Sequence, residues 1–235
     1  MSVKNKSLEV ECELCGLDAL CELLEYGESE HAQGALFRSR PVARGEILFK
    51  AGDPFQSFIA VKSGSFKTTT MTPQGQEKVI GFHLAGEMIG TEGIALDCYT
   101  STARALETGA ICELRLDNLY KTECPQHELQ NRVISILGNE VAFCQGLHAT
   151  LIRQSSEQRL AAFLLSVYTR LDQRGISGTD FRLSMSRSDI ASYLGLASET
   201  VSRILMKLQN LGMIKIRNKQ VHVSNLDALE NLANS

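Results

Sequence analysis

The sequence lacks any run of about 18 consecutive apolar residues, which argues against a membrane-spanning helix. No apolar stretch follows the lysines near its N-terminus, so we expect no secretory signal and a cytoplasmic protein that does not bind membranes. It also lacks a nucleophile–base pair, a glycine-rich phosphate-binding loop and an HExxH motif, and none of its five histidines has a ligand-spaced partner. These absences argue against an enzyme.

The chain has little excess charge, with a formal net charge of −3 over 235 residues. The charge is divided unevenly, because residues 155–235 carry 10 Lys and Arg against 7 Asp and Glu, whereas residues 1–154 carry 14 against 20. A basic C-terminal part is what contact with nucleic-acid phosphates requires. The hydrophobic content of 43% predicts a globular protein, and the length allows two modest domains.

Cysteine is concentrated near the N-terminus, where Cys12, Cys15 and Cys21 form a C-x2-C-x5-C pattern. Seven thiols are an odd number, and this cluster is too local for a disulfide framework; a reducing cytoplasm also keeps thiols reduced. Three such thiols can surround one face of a small metal centre, and Cys112, from the body of the chain, can complete the coordination. The pattern therefore indicates a metal centre or a redox function.

Two other readings of the cysteines remain open. Four thiolates can hold zinc, although structural zinc sites favour two C-x2-C-like pairs, and unligated redox thiols are the third possibility. Cys98, Cys124 and Cys144 have no spacing partner, and free cysteines are commonly small buried apolar residues. We assign these three no role, but Cys98 is the alternative to Cys112 as a fourth ligand.

From Phe37 to about Leu119, short apolar runs alternate with turn signals. The runs at 47–49, 58–61 and 78–82 are predicted strands, and glycine-containing turns lie between them. Repeated turns between short strands favour an antiparallel barrel or jelly roll, called here the β-roll.

A long helical pattern follows, with apolar residues spaced by four, four, four, three, three and four positions. They are Leu129, Val133, Leu137, Val141, Cys144, Leu147 and Leu151. A narrow apolar seam of about three heptads fits a two-helix dimer interface, for which the six residues from Val133 onward are our candidates. An amphipathic helix packed on its own domain is the alternative.

Two short helices are predicted near the C-terminus. The first runs from about Ser188 to Leu194, Gly195 breaks it, and the second begins near Ser198, which is a plausible N-cap. The second helix carries four apolar residues on its inner side, Val201, Ile204, Leu205 and Leu208. A glycine in a short turn between two short helices is the helix-turn-helix arrangement.

The outer side of the second helix carries the candidate DNA-reading residues Glu199, Ser202 and Arg203, at i, i+3 and i+4. Arginine can bond guanine in a bidentate manner, glutamate can accept from cytosine N4, and a hydroxyl can reach a base or a phosphate. Lys207, one turn further on, suits a backbone phosphate. Residues 213–223 are predicted to form a β-hairpin with a basic tip, which is a wing able to contact phosphates. The alternative is that these charges form only a solvated helix face.

Taken together, these motifs resemble the cyclic-AMP-receptor superfamily of bacterial transcription regulators, and within it the FNR-type oxygen sensors. The resemblance covers nearly the whole chain and rests on the segments CELCGLDALC, GFHLAGEMIG, ALETGAICEL, SSEQRLAAFLL and YLGLASETVSRIL. The first and third segments are specific, because ordinary superfamily members lack both cysteine sites.

The resemblance implies that Cys12, Cys15, Cys21 and Cys112 hold a [4Fe–4S] cluster. In that family oxygen converts the cluster to a [2Fe–2S] form, which weakens the dimer and releases DNA. This chain would then be a homodimeric, oxygen-responsive activator or repressor that binds DNA under anaerobic conditions.

The resemblance also implies the partners. Glu199, Ser202 and Arg203 would read a two-fold-symmetric site related to TTGAT-N4-ATCAA. Family members contact RNA polymerase through exposed loops of the β-roll, and the hairpin at 72–77 is the candidate surface here.

Three features depart from the family pattern. Gly16 stands where a serine commonly follows the second cysteine, and Glu22-Leu23 stand where a proline is usual, so shielding of the cluster can differ. Acidic residues crowd the cysteines, and like charges disfavour thiolates. Cys144 replaces an acidic residue that keeps apo subunits apart in well-studied members. We therefore expect dimerisation to depend less strictly on the cluster in this chain.

Two further functions fit the sequence less well. A cyclic-nucleotide receptor needs a glutamate for the ribose and an Arg-Ser pair for the phosphate, but residues 99–102 offer hydroxyls without an arginine, and Glu92 is shifted. A ferredoxin-like electron carrier would use the cysteines but leave the helix-turn-helix unexplained. A superfamily regulator gated by redox thiols, zinc or a small molecule remains the alternative function.

The predicted fold class is α+β. We expect an iron–sulfur arm over residues 1–30, a jelly-roll β-roll of the cyclic-nucleotide-binding type over 31–125, a dimerisation helix over 126–154, and a winged helix-turn-helix domain over 155–235.

Overall fold

The structure is a computed structural model, and it describes residues 9–18, 20, 21, 37–119, 126–151, 155–176 and 179–234. By internal contacts the chain divides into two compact units. The first comprises residues 1–70 and 82–140, and the second comprises residues 71–81 and 141–235. The four segments predicted from sequence stay a prediction, since this division into two units does not test their boundaries.

The predicted β-roll lies in the first unit except for residues 71–81, which belong to the second. Its eight strands are β1 (Phe37–Val42), β2 (Ile47–Phe49), β3 (Ser57–Ser63), β4 (Ser65–Met71), β5 (Glu77–Leu84), β6 (Met88–Ile89), β7 (Thr102–Ala105) and β8 (Gly109–Arg115). They form two four-stranded sheets, with strand orders β1-β8-β3-β6 and β2-β7-β4-β5. All three strands predicted from the apolar runs are confirmed.

The core of the β-roll is apolar and aromatic. Phe58 and Phe66 come from the two different sheets and are both buried, as are Ile111 and Leu114 of β8. Burying aromatic and branched side chains between two sheets is the main source of stability in such a sandwich.

Two helices follow the β-roll: the short α1 (Leu116–Leu119) and the long α2 (Gln126–Leu151). The long helix predicted from the spacing of apolar residues is therefore confirmed. Among the residues of α2 that the structure describes, Ile134 is 65% exposed and Val141 is 55% exposed. An apolar helix surface is thus open in the single chain.

The second unit contains α3 (Ser156–Asp172), β9 (Asp180–Arg182), α4 (Arg187–Leu194), α5 (Ser198–Asn210), β10 (Ile214–Arg217), β11 (Gln220–Val223) and α6 (Leu226–Asn234). The three strands form one antiparallel sheet in the order β10-β11-β9. The two predicted short helices are confirmed as α4 and α5, and the predicted hairpin is confirmed as β10 and β11, whereas β9 and α6 were not predicted from sequence.

The hairpin tip between β4 and β5 belongs to the second unit by its contacts. There the backbone N–H of Val79 donates to the hydroxyl of Ser192 on α4 at 3.0 Å. Residues 73–78 of the tip are exposed. None of the described helices is long and apolar enough to span a membrane.

Candidate thiol centre and nucleic-acid interface

The described residues of the N-terminal arm, 9–18, 20 and 21, are held against the β-roll by backbone hydrogen bonds. Val10 donates its N–H to the carbonyl of Lys62 on β3 at 2.9 Å, and Gly16 donates to the carbonyl of Gly86 at 2.8 Å. Gly16 lies close to the β-roll: a Cβ there would be 3.0 Å from Met88 Cγ and 3.2 Å from the Gly86 oxygen, so a larger residue needs these neighbours to shift by a few tenths of an ångström. The glycine that departs from the family pattern thus lets the arm approach the β-roll closely.

Two leucines fix the part of the arm that carries the cysteines. Leu17 and Leu20 both have no exposed surface. Full burial of a leucine contributes about 1.5–3 kcal/mol. The arm between Cys15 and Cys21 is therefore a docked part of the first unit.

The fourth cysteine lies on a central strand. The register places Cys112 of β8 directly opposite Ser39 on β1 and opposite Ala60 on β3. Lys62 follows Ala60 by two positions along β3, and its carbonyl is the one that receives the hydrogen bond from Val10. Sheet register and arm docking therefore bring sequence-distant thiols to one region of the first unit.

The four predicted ligands influence one another electrostatically. Burial raises the pKa of the Cys21 thiol to about 12, and the charges of Cys15, Cys12 and Cys112 contribute in the same direction. Burial also raises the pKa of Cys15, with Cys112 and Cys12 adding to the shift. These mutual effects put the four thiols within electrostatic range of one another.

One positively charged residue near Cys112, Lys62, favours the thiolate form of this cysteine. Burial raises the pKa of this thiol, while the ammonium of Lys62 and a hydrogen bond from Ser39 lower it. Both residues were missed by sequence reasoning, because their proximity to Cys112 follows from strand register and not from any local motif.

Within the described part of the chain, no group of three or more Cys, His, Asp or Glu side chains is close enough to hold a single metal ion. The thiols are neighbours without forming a closed mononuclear site. Four thiolates are the usual ligands of a cubic iron–sulfur cluster, and because each binds a different iron atom, their sulfurs are further apart than the ligands of one ion. A cationic centre would also relieve the repulsion among the thiolates. The donor set therefore fits a cluster.

The other cysteines differ in position. Cys98 is half-buried in the first unit, opposite Pro54 in an isolated bridge. Cys144 is exposed on α2. Cys124 lies outside the described residues.

Glu92 and two hydroxyl-bearing residues that follow it in the sequence are hydrogen-bonded to one another. The Glu92 carboxylate accepts hydrogen bonds from the hydroxyls of Thr100 and Ser101, both at 3.1 Å. The guanidinium of Arg104, the next arginine along the chain, donates instead to the carbonyl of Gly45 at 3.2 Å. The carboxylate that would bind a ribose is thus engaged within the protein, and the arginine nearest in sequence is directed elsewhere.

The helix-turn-helix is formed by α4 and α5. Ser186 caps α4 through a capping box with Asp189, and Gly195 ends α4 in the left-handed conformation with φ = 65°. Glycine tolerates positive φ at a helix C-terminus better than any other residue. One expectation was wrong in detail: Ala197 is the N-cap of α5, and Ser198 is its first helical residue.

The two faces of α5 are divided as predicted. The four inner residues Val201, Ile204, Leu205 and Leu208 are buried, and Glu199, Ser202, Arg203 and Lys207 are exposed. The Ser202 hydroxyl donates to the carbonyl of Ser198 at 3.0 Å, so its oxygen is left to accept a hydrogen bond. An acceptor on this helix can accept a hydrogen bond from cytosine N4 or adenine N6.

The wing is a two-residue hairpin between β10 and β11. Asn218 and Lys219 form its turn with φ of 46° and 70°, which suits a type I′ turn. Lys219 is anchored, because its ammonium donates to the carbonyl of Ser184 at 2.8 Å. Lys215 and Arg217 are exposed on the wing, where they can contact phosphates.

This combination of a β-roll, a long helix and a winged helix-turn-helix defines a DNA-binding transcription regulator. The sequence matches the family described as Crp-like helix-turn-helix domain over residues 158–232 and the cyclic nucleotide-binding domain over residues 39–122. Together the two matches cover most of the chain.

Curated relatives are similar over almost the full length. The chain is 36% identical over 233 residues to the fumarate and nitrate reduction regulatory protein of Escherichia coli strain K12, covering 98% of this chain and 93% of that protein. The identity to the Salmonella typhimurium protein of the same name is also 36%, with the same coverage. The chain belongs to the CRP/FNR family of transcription regulators, and it is not an enzyme.

Solved structures show the same fold. FixK2 from Bradyrhizobium japonicum superposes with a TM-score of 0.72 at 23% identity, covering 84% of this chain and 97% of that chain. A CRP-family transcriptional regulator from Thermus thermophilus gives 0.67 at 22% identity, covering 83% and 97%. Membership of this family implies DNA binding and dimerisation.

Proposed function

We propose that this protein is a cytoplasmic, oxygen-responsive transcription regulator that binds DNA as a cluster-loaded homodimer when oxygen is absent. The observation that carries the proposal is the electrostatic proximity of four thiols, Cys12, Cys15, Cys21 and Cys112, contributed by the docked arm and by β8. The curated relatives over nearly the whole chain bear the name of the fumarate and nitrate reduction regulator, which supports the same conclusion.

The four thiolates would hold a [4Fe–4S] cluster, which supplies reactivity towards oxygen when it is bound. Lys62 places a positive charge near Cys112 and so offsets part of the negative charge of the thiolates and of the acidic arm. The buried side chains of Leu17 and Leu20 keep the arm docked, so that its three thiols stay near the fourth.

The dimer would form along α2. Val133, Leu137, Val141, Cys144, Leu147 and Leu151 are the proposed seam, and the structure describes the side chains of the first four. Val141 and Cys144 are exposed in the single chain, whereas Val133 and Leu137 are half-buried. The side chains of Leu147 and Leu151 lie outside the described residues. An exposed apolar helix surface of this spacing is suited to a second copy of the same helix.

A dimer presents two copies of α5, which suits a two-fold DNA site with half-sites about one helical turn apart. We propose a site resembling TTGAT-N4-ATCAA, in which Arg203 bonds guanine and Glu199 accepts from the N4 of cytosine. Ser202 can accept from a neighbouring base, and Lys207 contacts a phosphate. The exposed hairpin at 72–77 is the proposed contact with RNA polymerase, through which the regulator activates or represses.

The test is to purify the wild type, Cys112→Ala and Cys98→Ala without air. Cys98 is the matched control, since it is also a half-buried cysteine of the first unit. We expect charge-transfer absorbance, iron and sulfide in the wild type and in Cys98→Ala, and their loss in Cys112→Ala.

Three outcomes would contradict the proposal. Equal cluster content in both variants would remove Cys112 from the ligand set. Stoichiometric zinc without iron in the wild type would favour a structural metal. Colourless air-free protein that binds DNA as tightly as the oxidised sample would show that another signal, such as thiol oxidation or a small molecule, controls binding.

A further inference from the structure

The recognition helix α5 carries an apolar side chain in the middle of its exposed face. Met206 is 62% exposed, although most other residues of this face are polar or charged. It contributes little to the core of the second unit, which α5 joins through Val201, Ile204, Leu205 and Leu208. A large apolar residue exposed within a binding surface is suited to contact an apolar group of the ligand.

Helical geometry places Met206 among the base-reading residues. Successive residues of an α-helix are about 100° apart, since there are 3.6 residues per turn. Met206 is therefore three positions after Arg203 and four after Ser202, and it points between these two side chains when viewed down the helix. Glu199 lies two turns before it on the same line, whereas the four buried residues occupy the opposite side.

The position along the helix decides what Met206 can reach. It lies about 4.5 Å further along the axis than Arg203, which is comparable to the distance between base pairs. With α5 lying along the major groove, as recognition helices do, Met206 reaches a base pair next to the one read by Arg203.

We propose that Met206 is a specificity-determining residue that covers the C5-methyl group of a thymine in each half-site. In the major groove the thymine methyl is the one apolar group that a base edge presents, and apolar side chains recognise it by contact. A flexible thioether side chain adapts its shape to such a group more easily than a branched residue does. This inference rests on DNA binding by α5 and does not depend on the cluster.

The experiment compares DNA duplexes that differ only in the C5-methyl group of one thymine. A duplex that the wild-type full-length chain enriches from a randomised library is synthesised in versions that each replace one thymine by deoxyuridine. Affinities are measured for the wild type, for Met206→Gln and for the control Leu211→Gln. Leu211 is also exposed, at 58%, but it lies at the C-cap of α5 and off the reading face. Glutamine matches methionine in length and in helix propensity, so both variants should fold.

We expect one thymine per half-site at which deoxyuridine lowers wild-type affinity about fourfold, which corresponds to about 0.8 kcal/mol for one buried methyl group. In Met206→Gln this single dependence should vanish, while the other positions respond as in the wild type. Leu211→Gln should retain the wild-type pattern.

Two results would overturn the inference. In one, no thymine position of the selected duplex is sensitive to the methyl group. In the other, the sensitivity persists in Met206→Gln. Because selection and binding require only a DNA-binding chain, either result would leave the proposed oxygen response unaffected. Conversely, a chain without a cluster that binds the selected duplex as tightly as the cluster-loaded chain would contradict the proposed function alone.

Discussion

The ammonium of Lys207 on α5 lies 2.7 Å from both carboxylate oxygens of Glu157 on α3. Lys207 is the residue predicted to bind a DNA phosphate, and in the free protein its charge is already paired. A phosphate must therefore compete with Glu157 for this lysine. The ion pair also connects the recognition helix with the first turn of α3, which sequence spacing did not reveal.

Replacing Glu157 with glutamine should strengthen DNA binding without changing sequence preference. The substitution frees Lys207 to bind a phosphate. An exposed ion pair is worth about 0–1 kcal/mol, so we expect an increase in affinity of at most about fivefold on any sequence. Filter binding or fluorescence anisotropy on specific and random duplexes measures it. In a Lys207→Ala background the gain should disappear, and a gain that persists there would assign the effect to another group.

Glu199→Ala should change sequence choice. The carboxylate accepts from one base edge, and a good base contact contributes about 1–3 kcal/mol of discrimination. We therefore expect discrimination at one base pair of each half-site to fall by about tenfold, as measured by competition among duplexes with single substitutions. Lys207→Ala is the comparison, because loss of a phosphate contact weakens binding to all sequences alike. If both variants lose affinity uniformly, the assignment of Glu199 is wrong.

Cys144→Asp should disfavour the dimer in the absence of a cluster. Two carboxylates at a seam of α2 would repel each other across the two-fold axis, whereas the native thiol is uncharged and small. We expect apo wild type to form dimers at micromolar concentration and Cys144→Asp to be monomeric, with Cys144→Ser as the neutral control. Size-exclusion chromatography of aerobic apo-protein measures the difference. An entirely monomeric wild-type apo-protein would refute the expectation that dimerisation depends less strictly on the cluster in this chain.

The thiol of Cys21 should be unreactive in the folded apo-protein near neutral pH. Its pKa is raised from 9.0 to about 12, mainly by burial, so less of the reactive thiolate is present at any pH below that value. Three pH units correspond to about a thousandfold less thiolate. The alkylation rate at Cys21 should therefore keep rising up to about pH 12 in folded protein, but level off near pH 9 in denaturant.

Mass spectrometry after timed alkylation reports the rate for each cysteine. The raised pKa of Cys21 also makes the stability of the fold depend on pH. Because the folded state binds the Cys21 proton more tightly, its contribution to stability is complete below pH 9 and is lost as pH rises towards 12. A Cys21→Ser variant should lack this decline, and an alkylation rate at Cys21 that levels off near pH 9 in folded protein would contradict the burial of the thiol.

Much of the fold was predictable because its signals are local. The inner face of α5 was identified from four apolar residues at helical spacing, and Gly195 marked the end of α4. The predicted strand at 47–49 matches β2 residue for residue. By contrast, β9 was missed, since its three residues, Asp180–Arg182, are too few to show alternation. Its pairing with β11 depends on a partner about forty residues away.

The candidate thiol site likewise combines features that are visible in the sequence with contacts that only the folded structure shows. The spacing of Cys12, Cys15 and Cys21 is a property of the sequence, and so is the choice of thiol ligands. The positions of Ser39 and Lys62 beside Cys112 are set by strand register, which no short motif contains. The close approach of Gly16 to Gly86 is likewise visible only once the arm is docked.

The sequence by itself determined the types of element, the polarity of each helix face and the set of candidate ligands. These properties depend on residues only a few positions apart, whose spacing fixes which side chains share a face. The tertiary structure decided which distant groups meet: Cys112 with the arm, and Lys207 with Glu157. Such pairs form because burial of apolar side chains brings the elements together, and that packing is a property of the whole chain.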